Sequence, residues 1–187
     1  MKRLFLIRHG EPGAAWGEAD DPGLSAKGRA QAVQAAEALP AGLAIISSPM
    51  SRCRETAAPY EARLGAPARI DPRVSEVATP AGVADRRAWL QEHFPWRAGA
   101  PGRNWATLAP GLHHWRNEVL AAARGIAGDS AVFTHFIAIN ALVGAALGRA
   151  DTIVCRPNHA SITEIAVSDD ELRLIALGES MDGGDVR

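Results

Sequence analysis

Residues 2–12 read KRLFLIRHGEP. Leu4-Phe5-Leu6-Ile7 is an uninterrupted apolar run of strand length that stops at Arg8-His9-Gly10. A continuous run of this kind suits a strand buried on both faces, the hallmark of a mainly parallel sheet covered by helices. In such sheets ligands bind beyond the carboxyl ends of the strands. Arg8, His9 and Gly10 therefore put a cation, a titratable ring and an unhindered backbone where a ligand would sit.

Outward from this stretch, short apolar runs alternate with longer amphipathic ones. LSAKGRAQAVQAAEAL (24–39) predicts a helix capped by Ser25, with Ala30, Val33 and Ala36 on its apolar face. LAIIS (43–47) predicts a second buried strand. It leads into SPMSRCRETAAPYEARL (48–64), a helix with Ser48 at the cap and Pro49 as its first residue. ARI (68–70) suggests a short third strand, and residues 77–104 read as an irregular excursion rich in Pro, Gly and Ala. A helix follows over 105–124, with Pro110-Gly111 able to split it. SAVFT (130–134) predicts a strand and FIAINALVGAALG (136–148) a helix, and ASITEIAVSDDELRLIAL (160–177) reads as a hairpin turning at Asp169-Asp170.

The pattern predicts a single α/β domain over 1–178: a three-layer sandwich with a mainly parallel central sheet and helices on both faces. An excursion or lid over 77–118 covers the active-site end, and a flexible tail occupies 179–187. The chain has 187 residues, 47% hydrophobic and 22% charged, with a net charge of −1. That balance excludes a strongly basic nucleic-acid or anionic-membrane binder, so any affinity for an anion has to be local. Cys53 and Cys155 have no CxxC spacing, which argues against a disulfide framework or zinc ribbon and for a reducing compartment. The N-terminal apolar run is too short for a signal-peptide core, and the expected location is cytoplasmic.

Three buried strands are followed by chemically capable residues: Arg8 and His9 after the first, Arg52 in the opening turn of the helix after the second, and His135 after SAVFT. If those strands are parallel neighbours, the side chains gather on one rim. Arg52 faces the positive end of its helix dipole, a cost that a bound anion offsets. Helix N–H groups and guanidinium forks together make a phosphate site. A histidine anchored by a backbone bond at one nitrogen presents the other as a nucleophile.

LIRHGE (6–11), LSAKGRAQA (24–32), SSPMSRCRETA (47–57), VSEV (74–77) and VFTHFIAIN (132–140) occur in the order found in the histidine phosphatase superfamily, the phosphoglycerate mutase-like family, which the chain resembles over nearly its whole length. The resemblance implies that His9 accepts a phosphoryl group, that Arg8, Arg52 and a protonated His135 surround its oxygens, and that Glu76 is the proton donor. Glu11 and Asp71 are the alternative carboxylates. The implied activity is a metal-independent phosphomonoesterase of the small phosphatase branch, with no cofactor and a phosphohistidine intermediate. The alternatives are a phosphoglycerate mutase-type phosphotransferase and a non-catalytic phosphate-binding module. The expected partner is a small phosphorylated molecule, not nucleic acid or membrane, with the chain a monomer or homodimer.

The chain departs from the family pattern at three places. Glu76 is followed by Val77 where glycine is usual, His135 by Phe136 where glycine is common, and EPGAAWGEADD (11–21) lacks the asparagine often found beyond RHG. Asn158, His159 and Ser161 precede the last hairpin, where they can join the rim. His113-His114 lie side by side on a helix and point about 100° apart, which does not make a chelating pair. Trp89, Trp96, Trp105 and Trp115 fall in or beside the excursion, as a satellite core or as a lid over a leaving group, with Arg86, Arg87, Arg97 and Arg103 available to further anionic groups.

Overall fold

The computed structural model describes residues 1–14, 20–97 and 99–181. The segment 182–187 of the expected flexible tail and residues 15–19 of the loop after RHG lie outside them. In chain order the elements are β1 (Lys2–Arg8), α1 (Ala26–Ala38), β2 (Ala44–Ser47), α2 (Ser51–Leu64), β3 (Arg69–Ile70), α3 (Arg86–His93), α4 (Pro110–Gly125), β4 (Ser130–Thr134), α5 (Phe136–Ala146), β5 (Ile162–Val167) and β6 (Leu172–Ala176).

Among the described residues the strands form one six-stranded sheet in the order β3-β2-β4-β1-β5-β6. The pairs β3/β2, β2/β4 and β4/β1 are parallel. The closing pairs β1/β5 and β5/β6 are antiparallel, the second being the hairpin anticipated around Asp169-Asp170. Because side chains alternate along a strand, each central strand feeds two cores. Leu4, Leu6, Ile46 and Val132 pack against α4 and α5 through Val119, Ala123, Ile139 and Leu142. Phe5, Ile7, Ile45, Ala131 and Phe133 pack against α1 and α2 through Ala35, Ala36, Ala57 and Tyr60. That is the three-layer sandwich the alternating runs imply.

Several local expectations are corrected. The buried side of α1 is Gly28, Ala32, Ala35 and Ala36, while Val33 stands 46% exposed and Ala30 faces solvent. Ser25 does cap α1, accepting from the Gly28 N–H at 2.9 Å. The N-cap of α2 is Met50, which offers no side-chain bond, and the carboxylate of Asp21 accepts from the Ser51 N–H at 2.9 Å in its place. Ser48 is thereby released for another task. The stretch 77–104 is not wholly irregular, because Asp85 caps α3 by accepting from Ala88 N–H at 2.9 Å. Pro110 opens α4 rather than splitting a longer helix, as suits a residue with no N–H to donate.

The excursion is held by a third cluster in which Leu90, Phe94, Trp96, Trp105, Leu108 and Leu112 pack against Phe136, Ile137 and Ala141 of α5. Of the two readings of the tryptophans, the satellite core is the observed one: Trp96 and Trp105 are buried and Trp105 stacks on Trp115 at 6.3 Å. The start of the expected tail is also tied down. Met181 is buried in this cluster, and its N–H donates to Arg156 O at 2.8 Å. Among the described residues no helix is long and apolar enough to cross a membrane.

Candidate active site

β2, β4 and β1 lie side by side, with Arg8 level with Thr134 and Ser47 level with Phe133. The chain therefore leaves three adjacent strands at one height. His9 N–H donates to Thr134 O and Ser48 N–H to Phe133 O, each at 3.0 Å, carrying the ladder one step past the strands. His9, Arg52 and His135, distant in sequence, meet on that rim.

The first turn after β1 is fixed by a glycine contact. A Cβ on Gly10 would lie 2.6 Å from Gly28 O, and one on Gly28 would lie 2.1 Å from Glu11 O. Only two facing glycines let α1 press on the RHGE backbone this closely. Gly10 N–H donates to Thr56 Oγ1 at 2.9 Å, and Thr56 Oγ1 donates to Arg52 O at 2.6 Å, which couples this turn to α2.

His9 is buried, and its Nδ1 lies 2.9 Å from Gly10 O. A carbonyl only accepts, so Nδ1 carries the proton and Nε2 keeps its lone pair. The His9 ring lies 5.3 Å from that of His135 and 5.7 Å from that of His159. Burial, followed by the nearby charges led by Arg52, holds its pKa well below the usual histidine value, so the ring is neutral.

Arg8 is fully buried. Its Nη1 donates to Pro157 O at 2.9 Å, its Nη2 lies 3.0 Å from His159 Nε2, and its guanidinium sits 5.1 Å over the Phe136 ring. The departure from the family's glycine after His135 is thus explained. Phe136 packs into the satellite core and forms a cation–π floor under Arg8. Desolvation lowers the Arg8 pKa to about 9, partly offset by Glu76, and it stays charged at neutral pH.

Arg52 is buried on the first turn of α2. Its Nη2 lies 3.2 Å from His135 Nδ1, its Nη1 is 3.9 Å from Asp21, and its Nε has no hydrogen-bond partner among the described residues. His135 completes the wall, with Nε2 2.8 Å from Ser48 Oγ and 3.3 Å from Cys53 Sγ. The expected protonation of His135 is disfavoured by its surroundings. Burial first, then Arg52, Arg8 and Arg86, press its pKa well below the usual value.

Among the three carboxylates considered, Glu76 is set apart. Its Oε2 accepts from Ile137 N–H at 3.0 Å and its Oε1 from Val77 N–H at 3.2 Å, so it caps α5 at the rim. Burial raises its pKa and outweighs those two bonds and the pull of Arg52 and Arg86. Asp71 is clamped by Arg73 and Arg69, which hold it down at about 2, so it is an anion at neutral pH. Glu11 accepts from Ser25 Oγ at 3.0 Å and pairs with Lys27, a structural role at the head of α1.

His159 arrives on a turn whose next residue, Ala160, has φ 57°, a left-handed conformation uncommon outside glycine. The turn is held because Ala160 N–H donates to Arg8 O at 3.0 Å. Arg86 reaches the Glu76 loop from α3, donating to Val77 O at 3.0 Å and to Thr79 Oγ1. Asp21 and Ser48 are the site residues that sequence reasoning does not assign. Ser48 carries a signal, since it directly follows a buried strand as His9 and His135 do, whereas Asp21 carries none.

Buried histidines and arginines gathered at the carboxyl edge of a mainly parallel α/β sheet suit a phosphoryl-handling class of protein. The chain belongs to the histidine phosphatase superfamily (branch 1), whose family model matches residues 4–180. It is similar to the mycobacterial glucosyl-3-phosphoglycerate phosphatase Rv2419c, solved as a complex with VO3, at 26% identity and TM-score 0.70, over 96% of this chain and all of that one. It also shares its fold with a mycobacterial hydrolase (24% identity, TM-score 0.66, 97% and 100% coverage) and with TTHB049 of Thermus thermophilus (23%, 0.65, 96% and 99%). Two curated relatives, the uncharacterized proteins Rv0525 and MT0547 of Mycobacterium tuberculosis, are each 39% identical over 109 residues. The match covers 50% of this chain, which spans about half the length (54%) of each of those relatives.

Proposed function

We propose that the chain is a phosphatase that hydrolyses small-molecule phosphate monoesters through a phosphohistidine on His9, without a metal. The observation that carries this reading is the Nδ1–H bond of His9 to Gly10 O, which leaves the Nε2 lone pair free in a ring that has the rings of His135 and His159 5.3 and 5.7 Å away and the charges of Arg52 and Arg8 nearby. The family match and the resemblance to a phosphatase solved with VO3 support it.

In the first half-reaction His9 Nε2 attacks phosphorus, the phosphorus–oxygen bond to the leaving group breaks, and Glu76 gives its proton to the departing oxygen. In the second, the Glu76 carboxylate takes a proton from water, whose oxygen attacks phosphorus. The phosphorus–nitrogen bond breaks, phosphate leaves and His9 is neutral again. Unassisted phosphate-monoester hydrolysis is slow enough to need accelerations up to ~10²¹-fold, so charge stabilisation by buried guanidiniums matters as much as the nucleophile. Proton donation is worth ~10²–10⁴-fold. Two free cysteines support a reducing, cytoplasmic setting.

Purified protein is expected to release phosphate from an aryl phosphate in the presence of EDTA and to trap an acid-labile phosphorylated histidine on rapid quench. His9→Ala should abolish both. Turnover unchanged in that variant overturns the reading. Isomerisation of a phosphoglycerate without phosphate release would instead assign a mutase, and phosphate binding without turnover a binding module.

A further inference from the structure

We propose that Ser48 is a positioning residue that fixes the tautomer of His135, so that any proton His135 gains goes onto Nδ1, the nitrogen beside Arg52. The reasoning starts from groups that can only donate. Arg52 Nη2 lies 3.2 Å from His135 Nδ1, and a guanidinium has no acceptor, so Nδ1 of the neutral ring is the acceptor and Nε2 bears the proton. That proton points at Ser48 Oγ, 2.8 Å away, with Cys53 Sγ a weaker neighbour at 3.3 Å. Ser48 Oγ also receives the Met50 N–H at 3.4 Å, a second group that cannot accept. With two donors aimed at it, the Ser48 hydroxyl sends its own proton to Ser75 Oγ, 3.2 Å away.

The result is a one-way chain from Arg52 through His135 and Ser48 to Ser75, the residue immediately before Glu76. Ser48 and His135 are both fully buried, so no water substitutes for a missing partner at low cost. The charged or titratable groups around His135 are Arg52 and Cys53 from α2, Arg8 and His9 from the end of β1, Arg86 from α3, and Glu76 beside the first turn of α5. Burial, and then a net cationic field, keep the ring neutral until an anion enters. When a phosphate monoester draws Arg52 onto its oxygens, His135 takes up a proton from solvent. Because Ser48 already holds Nε2–H, the new proton is borne by Nδ1 and joins Arg52 in donating to the anion.

This inference rests on the phosphatase reading for its purpose but not for its test. In full-length protein with ¹⁵N-labelled histidine, His135 is expected to show a protonated Nε2 and an unprotonated Nδ1 at neutral pH, and to gain the Nδ1 proton when inorganic phosphate is added. Ser48→Ala should leave Nε2–H without its acceptor, shift the Nε2 resonance and bind phosphate about tenfold or more weakly, the effect of one lost hydrogen bond to a charged partner. Ser48→Thr, which keeps the hydroxyl, should restore both. A neutral Nδ1–H tautomer in the wild type overturns the proposal even if Ser48→Ala fails to fold. So does a Ser48→Ala protein whose spectrum and phosphate affinity match the wild type. A wild-type chain that binds no phosphate defeats the phosphatase reading, while the free-protein tautomer still decides the role of Ser48.

Discussion

At His9 and Glu76 the same burial acts in opposite directions on two titrations. Desolvation favours the uncharged form of each group, so the histidine pKa falls and the carboxyl pKa rises. The neutral His9 ring therefore persists on the acid side of pH 6.5, the ordinary value, and the protonated Glu76 carboxyl persists above pH 4.5, the two states that the proposed mechanism requires. A kcat/KM profile for an aryl phosphate is expected to keep its acid limb below pH 6.5, and its alkaline limb should belong to Glu76. Glu76→Gln should slow an alkyl phosphate by about 10²–10⁴-fold, slow an activated aryl phosphate much less, and flatten the alkaline limb. Equal slowing of the two substrates counts against Glu76 as the proton donor.

At the scale of elements, the contact between the RHGE turn and α1 is the most demanding in the site. With Gly28 replaced by alanine, the new methyl would collide with the Glu11 carbonyl, a rigid backbone atom. Gly28→Ala is expected to cost several kcal/mol, despite alanine's better helix propensity, and to lower kcat by shifting Gly10 O away from His9. Thermal unfolding and steady-state kinetics on the same preparation test both effects.

The strand-end residues Arg8-His9 and His135 are legible in the sequence because each is contiguous with the buried run that positions it, whereas Ser48, in the same place after Ser47, reads as a helix cap. The face of α1 is not legible. The helix is so rich in alanine that its apolar periodicity has little phase, and the close approach of Gly28 selects the face. Asp21 and the α2 cap also escape a linear reading, since the capping carboxylate comes from 30 residues upstream. The cationic field that adds to burial in keeping His135 neutral needs Arg8, Arg52 and Arg86 on three different elements. No spacing rule encodes that sum.

For the whole molecule, the buried groups set how stability responds to acid. His9 and His135 have folded pKa values below the unfolded value of 6.5, so below that pH the unfolded chain binds more protons and stability falls. The slope is up to about 1.4 kcal/mol per pH unit for each proton. Glu76 opposes this above pH 4.5, because its raised pKa lets the folded state hold the extra proton there. Asp71 adds a later loss between pH 3.8 and about 2 as its bonds to Arg73 and Arg69 are titrated away. Urea unfolding across pH is expected to show stability declining from pH 6.5, with Asp71→Asn less stable by up to about 2 kcal/mol at neutral pH and converging with the wild type near pH 2. A gap that persists at pH 2 would assign the Asp71 contribution to packing instead of charge.

The antiparallel end of the sheet bears on biosynthesis. Arg8 is synthesised 149 residues ahead of Pro157, yet its guanidinium is received by Pro157 O, His159 and Met181 Sδ, and its backbone N–H by Ser161 O. A nascent chain that already holds both helical layers still lacks these partners until the β5–β6 hairpin pairs with β1. Translation thus withholds the arginine's final seat until residues 157–181 have been made.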